Sequence, residues 1–492
     1  MTGFDSHGML LGMILLIPLL GAVLVGMASR WPNLRETGSV LAALALTFAV
    51  WSLLPGALAG ERPELALFEI LPNVPFAFKA EPLGLLFAAL ASLLWVVSTI
   101  YSMGYMRGNN EAHQTRFFML FAVALFAAMG VAFSANLLTL FIFYEVLTVS
   151  TYPLVTHKGD EGSMRAGRVY FGILIGASIG LFLPAIIWTY VLTGTLDFVP
   201  GGILEGHLAG PAVGLMLGLY VYGAAKAAVM PLHRWLPAAM VAPTPVSALL
   251  HAVAVVKAGV FTIVKIIIYV FGVDFLFATP SSGWLVPVAA FTVIMASLIA
   301  LRQTNLKRLL AYSTISQLSY IVLATAILAP LSQVGAALHI AAHGFGKITL
   351  FFAAGSIYTA SKKTDITQMN GIGLRMPLTM GAFAIGALSM IGVPPMAGFV
   401  SKWYMLGGAL QTENYLAIGT IILSTVLNAA YFLPILYRAF FLAENVAPPR
   451  EHGEANWPIR LALGTTALLT IAFFVFNGPV VDLEMQLVET LP

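Results

Sequence analysis

No cysteine occurs in the 492 residues, which excludes disulfides, thiolate metal sites and cysteine nucleophiles. Charge is almost as scarce. Charged residues make up 9% of the chain against 59% hydrophobic, too few for a water-soluble domain of this size. The net charge of +3 is small, and no basic patch points to nucleic acid. No Walker motif, dinucleotide loop or haem or iron–sulfur pattern is present. No cofactor is therefore expected, and any redox chemistry would reside on another chain. No polar stretch exceeds about 25 residues, so no appended soluble domain is expected. Asp5 and His7 stand where a cleavable signal carries basic residues. The apolar run from Met9 to Ala28 is long enough to span a bilayer, so it is read as a first helix.

What the chain has is apolar length. Windows of roughly 20 apolar residues predict an all-α polytopic membrane protein with about 14 transmembrane helices. They cover 9–28, 38–55, 82–105, 116–133, 135–155, 168–193, 211–239, 246–270, 284–301, 308–329, 333–357, 376–411, 415–437 and 460–477. Of the 24 Lys and Arg, seventeen (Arg450 among them) fall on connections after odd-numbered helices or at those helix ends. Two, Arg62 and Lys79, fall on the other side, and five lie inside spans. By the positive-inside rule both termini lie outside the cytoplasm of a bacterial or archaeal cell (inner) membrane. The tail acids Asp482, Glu484 and Glu489 agree.

Two spans are too long for straight helices. At 1.5 Å per residue, 211–239 and 376–411 would measure about 43 and about 54 Å, against a hydrocarbon core of about 30 Å. The first contains Pro231 and Pro237, the second Gly392, Pro394, Pro395 and Gly398. Lys226 precedes the first break and Lys402 follows the second. Broken helices at mid-membrane point to a transport site, because freed backbone groups must face protein or water. The two breaks are five helices apart, which predicts two inverted five-helix repeats, helices 4–8 and 9–13. The expected organisation is 1–115 for helices 1–3, 116–270 for the first repeat, 284–437 for the second, and 438–492 for a loop, helix 14 and an external tail.

Six ionisable residues sit inside apolar spans: Glu145, Lys226, Lys257, Lys265, Lys347 and Lys402. Each costs at least about 2.5–3.5 kcal/mol to insert, so such groups mark ion or proton paths. Glu145 is expected to pair with Lys226 in a switch, with a static structural pair as the bland reading. Lys257 is too deep to snorkel. Lys265, nearer a helix end, is read equally as a snorkelling lysine or a proton site. His339, His343 and Lys347, at i, i+4 and i+8, share one helix face. With His251 and Lys257 they are expected to form a relay, since imidazoles titrate near neutrality; a structural histidine face is the alternative. No third ligand accompanies the HxxxH pair, so no metal is expected. His233 and Arg234 are read as an inner proton inlet or an interfacial anchor, and Asp160 and Glu161 as solvated loop charge.

The runs Lys226-Ala-Ala-Val-Met-Pro-Leu-His-Arg-Trp-Leu-Pro, Ala242-Pro-Thr-Pro-Val-Ser-Ala-Leu-Leu-His and Val256-Lys-Ala-Gly carry a resemblance, together with Tyr144-Glu145 and Val393-Pro-Pro-Met-Ala-Gly-Phe-Val-Ser-Lys402. They resemble the antiporter-like subunits shared by respiratory complex I and Mrp-type sodium/proton antiporters, over essentially the whole chain. The resemblance implies fourteen helices, two inverted units and external termini. It also implies Glu145–Lys226 as the paired switch, Lys257 and the histidines as a central relay, and Lys402 as the terminal proton site. Lysine at 402 and the short C-terminus look most like the D subunit of an Mrp antiporter, which implies proton and sodium as ions and other subunits of a membrane hetero-oligomer as partners. An antiporter-like subunit of complex I or of a membrane-bound hydrogenase is the alternative.

Overall fold

The structure, a computed structural model, describes residues 6–444 and 453–489. Asp5 and Arg450 of the readings above lie outside them. The chain is a bundle of membrane-length helices. In order these are α1 (Ser6–Met27), α2 (Pro32–Trp51) with a short α3 (Leu54–Leu58), α4 (Pro82–Gly108), α5 (Gln114–Phe133) and α6 (Leu137–Val155). Next come α7 (Glu161–Thr193), α8 (Pro211–Gly223) and α9 (Val246–Phe271). The rest are α10 (Leu285–Leu301), α11 (Leu306–Ala326), α12 (Pro330–Ser361), α13 (Pro377–Ile391), α14 (Ala397–Gln411), α15 (Tyr415–Phe441), α16 (Trp457–Val475) and α17 (Gly478–Glu489).

Among the described residues, 12 helical segments are long and apolar enough to cross a membrane, and α8 and α13 are shorter apolar helices. Those two are the first halves of the spans read as broken. The second break falls where the sequence puts it; the first opens earlier than Pro231, so Lys226 lies within it and not ahead of it. α8 stops at Gly223, ahead of a single 3-10 turn over Ala225–Ala227. α13 stops at Ile391, and α14 resumes at Ala397. Helix starts follow local chemistry. The side chains of Asn136, Asp160, Asn305 and Asn414 accept from backbone N–H groups at the starts of α6, α7, α11 and α15, satisfying donors that a helix leaves open. Asp160 and Glu161 thus begin a helix instead of decorating a loop.

Two elements stand where connections were expected. Glu64–Leu71 (β1) and Val74–Lys79 (β2) pair as an antiparallel hairpin, and α17 folds from the tail. The connections carrying most of the positive charge are stitched together at the opposite end of the bundle. Arg35 donates to Thr115 and Gln114, Arg107 to Asn33, Arg116 to the His157 carbonyl, Lys307 to the Ala242 carbonyl and Arg438 to Asn370. A buried Glu36 anchors both Arg35 and Arg107. The charge count therefore sorts the connections by end.

Burial is uneven. α9 and α12 are wholly buried along their apolar windows, whereas α2, α7, α15 and α16 turn most of theirs outward. His251, Lys257, His339, His343 and Lys347 all ride on the two central helices.

Candidate functional site

Lys226 lies in the 3-10 turn after α8 and is fully buried. Its Nζ donates to the Tyr144 carbonyl at 2.8 Å and to Thr148 Oγ1 at 2.6 Å, and stands 3.1 Å from the Tyr144 ring centroid. Its backbone N–H donates to Tyr144 Oη at 3.1 Å. Residues 144 and 148 are one turn apart on α6, so one face of that helix receives the lysine. Glu145 is rotated by a further residue. It is half-buried, and neither of its oxygens has a hydrogen-bond partner among the described residues. The expected Glu145–Lys226 contact is therefore absent in this conformation, although the carboxylate remains the charged neighbour of the amine. Glu145 also faces Ser178, which opens a π-turn, Ser178–Phe182, within α7. Gly259 explains the close approach of α9 to the break: a Cβ there would sit 2.1 Å from the Ala227 nitrogen and 2.8 Å from Lys226 Cβ.

The central group is closely packed, with one gap in its hydrogen bonding: His343 Nε2 has no partner among the described residues. Lys257 Nζ hydrogen-bonds His343 Nδ1. The His343 and His339 rings stack with centroids 6.1 Å apart. His339 Nδ1 meets Ser401 Oγ at 2.8 Å and its Nε2 meets Gln317 Oε1 at 3.0 Å. Ser401 adjoins Lys402, whose Nζ lies 4.9 Å from the Tyr320 ring, itself 5.7 Å from His339. A second branch starts at Lys347, which donates to Ser313 Oγ at 2.7 Å. Ser313 meets Tyr431 Oη at 3.0 Å, Tyr431 bonds Asn428, and Asn428 donates to the Met390 carbonyl at 3.2 Å. Lys402 Nζ donates to that same carbonyl at 3.0 Å and to Ile391 O at 2.9 Å. Lys402 thus caps the C-terminus of broken α13, where carbonyls lack helical partners and the dipole favours a cation. Both branches converge on it.

Three readings meet this geometry differently. His251 does not join Lys257 and the α12 histidines. It sits in a π-helical stretch, Val246–Ala254, which changes the facing relative to Lys257. Its ring nitrogens have no hydrogen-bond partner among the described residues, and its neighbours are Tyr170 at 6.0 Å and Trp235 at 6.1 Å. Tyr170 Oη meets Thr151 Oγ1 at 2.5 Å, one turn along α6 from Thr148. His251 therefore belongs with Lys226. Second, His233 is half-buried against the Pro231 carbonyl and Arg234 is exposed. Neither lines the cavity of about 330 Å³ at their end of the bundle, which is bordered by Tyr105, Lys158, Asp160, Thr244 and Lys307. Third, Lys265 does not snorkel. It is 1% exposed, pairs with Glu81 Oε2 at 3.0 Å and donates to Ser134 O at 2.6 Å. Pro231, Pro394 and Pro395 stand in the breaks as expected; the Met230–Pro231 and Pro394–Pro395 bonds are cis.

The sequence reading missed Ser313, Gln317, Tyr320, Ser401, Asn428 and Tyr431. Ser313, Gln317 and Tyr320 at i, i+4 and i+7 form a polar stripe on one face of an apolar helix, and that stripe was the available signal.

This arrangement has counterparts. Residues 134–428 match the NADH:quinone oxidoreductase/Mrp antiporter transmembrane family. The chain is 32% identical over 406 residues to NADH-quinone oxidoreductase subunit N of Desulforudis audaxviator, covering 80% of this chain and 78% of that one. It is 33% identical over 394 residues to the A/B subunit of a probable K(+)/H(+) antiporter of Rhizobium meliloti, covering 78% of this chain but 38% of that longer protein. Its fold is similar to a chain in the structure of the Mrp complex from Dietzia sp. DQ12-45-1b, with a TM-score of 0.87 at 21% identity over 99% of this chain and 98% of that one. The matched segment contains both broken spans and every lysine of the buried axis, and the chain belongs to the NADH:quinone oxidoreductase/Mrp antiporter transmembrane family as an antiporter-like membrane subunit.

Proposed function

We propose that the chain is the proton-translocating subunit of a multisubunit sodium/proton antiporter of Mrp type. The observation that carries this reading is the buried row Lys257–His343–His339–Ser401 ending beside Lys402, hydrogen-bonded at both ends and stacked between the two imidazoles. Protons reach Lys257, pass along the α12 histidines and leave by way of Lys402, or run in reverse. Residues 116–270 and 284–437 act as two inverted units, each with one broken helix and one lysine at its break. Glu145 and Lys226 open and close, coupling the path to a neighbouring subunit; the arrangement described above is the open form. In a weakly screened interior, moving one charge near the pair shifts the energy of the next lysine appreciably. The positively charged end faces the cytoplasm, and sodium is handled with partner chains.

A second reading, an antiporter-like proton-pumping subunit of complex I or of a membrane-bound hydrogenase, is favoured by the similarity to NADH-quinone oxidoreductase subunit N, which spans most of both chains. The test uses inverted vesicles from an antiporter-deficient cell expressing this chain with its neighbouring genes. Sodium addition dequenches a pH dye in the wild type and fails to do so in Glu145→Ala if the antiporter reading holds. Silence to sodium with proton pumping driven by a redox donor overturns it in favour of the second reading.

A further inference from the structure

α17 lies outside the membrane-length helices, yet it buries an acid. Glu484 is 0% exposed, and neither carboxyl oxygen has a hydrogen-bond partner among the described residues. α17 packs on α3, α4 and α12. Around the neighbouring Leu483 these elements present Leu54 and Leu58, Leu86 and Leu90, and Phe345. An ionised carboxylate on such a surface is costly. Burial pushes the Glu484 carboxyl up to about 8, with Arg62 the charged group pulling it back. Arg62 is held in place by the Ala57 carbonyl at 3.0 Å and Gln486 Oε1 at 2.5 Å.

The acid does not stand alone. Tyr269, 4% exposed near the end of α9, is within electrostatic reach of Glu484, Arg62 and Glu81. Its ring lies 6.0 Å from Lys265 Nζ, and Lys265 pairs with Glu81. Four buried titratable groups thus run from the terminal helix α17 into the wholly buried α9. Lys265 is about 12 Å along α9 from Lys257. Buried titratable groups gathered in this way mark functional sites.

We propose that Glu484 is a proton-exchange carboxyl at the hairpin end of the bundle, the outer terminus of a path running through Tyr269, Glu81 and Lys265 toward Lys257. Each hop moves one proton: an N–H or O–H bond breaks on the donor as another forms on the acceptor, and no electron is transferred. α17 is then a cover that carries a reacting group. This inference rests on the proton-translocating reading above.

The experiment uses the whole complex in oriented proteoliposomes, with the pH on each side set independently. Wild type, Glu484→Gln and Lys257→Ala are compared. The proposal expects the wild-type rate to change through a hairpin-side pH near 8, and Glu484→Gln to lose that inflection and run roughly ten-fold or more slower. Glu484→Asp restores the inflection at a displaced pH. A Glu484→Gln complex with wild-type rate and profile overturns the proposal. If proton transport is seen and is lost in Lys257→Ala, that result leaves the translocation reading standing. No proton movement by wild type overturns both. An infrared difference spectrum across the same pH range provides a readout independent of transport. It shows a protonated-carboxyl band lost in Glu484→Gln, and an unchanged band overturns the assignment.

Discussion

The two broken spans share one sequence grammar, a lysine beside a run of Pro and Gly, and reach opposite solutions. At the first break, Lys226 commits its amine to another helix, the α6 face of Tyr144 and Thr148, while the acid one residue along faces elsewhere. At the second, Lys402 directs its amine chiefly to the carbonyls of its own broken span, Met390 and Ile391, with Thr425 of α15 at 3.4 Å and no ion-pair partner among the described residues. An amine held by a neighbour can be traded for a nearby carboxylate with little backbone change. One that caps the other half of its own span is fixed by that half. The proposed switch at the first break and the proposed terminal site at the second rest on this difference.

Four outcomes break or sharpen this contrast. The largest effect is expected for Lys226→Ala, which abolishes cation-coupled proton movement while assembly is retained; retained transport in vesicles would remove the partner-changing lysine. Next, Lys402→Ala blocks proton exchange and also leaves the Ile391 carbonyl uncapped, while the Met390 carbonyl keeps Asn428, at a cost of about 1–3 kcal/mol in stability. A thermal-unfolding shift larger than that of Lys226→Ala supports the capping role, and an equal or smaller shift contradicts it. Third, Gly259→Ala forces α9 away from the Lys226 turn, costing about 1–3 kcal/mol and slowing transport. Normal rate and stability would show that the close approach is dispensable. The smallest effect concerns α17. The folded-state value of the Glu484 carboxyl is raised to about 8, so the docked helix binds a proton more tightly than the unfolded chain does. Its stability falls as pH rises from the ordinary carboxyl range through about 8. Amide protection in Gly478–Glu489, taken relative to the intrinsic base-catalysed rate, falls over that window and stays constant in Glu484→Gln.

Much of this was legible in the residues. Ionisable groups are so costly in a bilayer that Lys226, Lys257, Lys347 and Lys402 announced themselves, and the Pro and Gly run located the second break, while the first opens at Gly223, ahead of Pro231. Partner choice was not legible. Glu145 and Tyr144 are adjacent, and which of them meets Lys226 depends on the rotation of α6 by a single residue. His251 was misread because six residues from Lys257 it faces another way even on an ordinary helix, about 120° round, and the wide turn adds to that rotation. Ser313, Gln317, Asn428 and Tyr431 are commonplace singly and gain meaning only when three helices meet. Glu81 and Glu484 look like ordinary loop and tail acids. Their burial comes from a hairpin and a terminal helix that fold over the end of the bundle, a long-range event with no local signature.

The wide-turn stretch Val246–Ala254 has a consequence for length. A stretch of this kind closes hydrogen bonds one residue later than an α-helix does, so it accommodates chain that would otherwise turn everything beyond it to a new azimuth. Lys257 lies just past it and must point at His343. The stretch therefore acts as a phase-setter: substitutions within it alter packing, but losing a single residue would re-aim Lys257 away from the α12 histidines while the helix remained helical and the composition of the site remained unchanged.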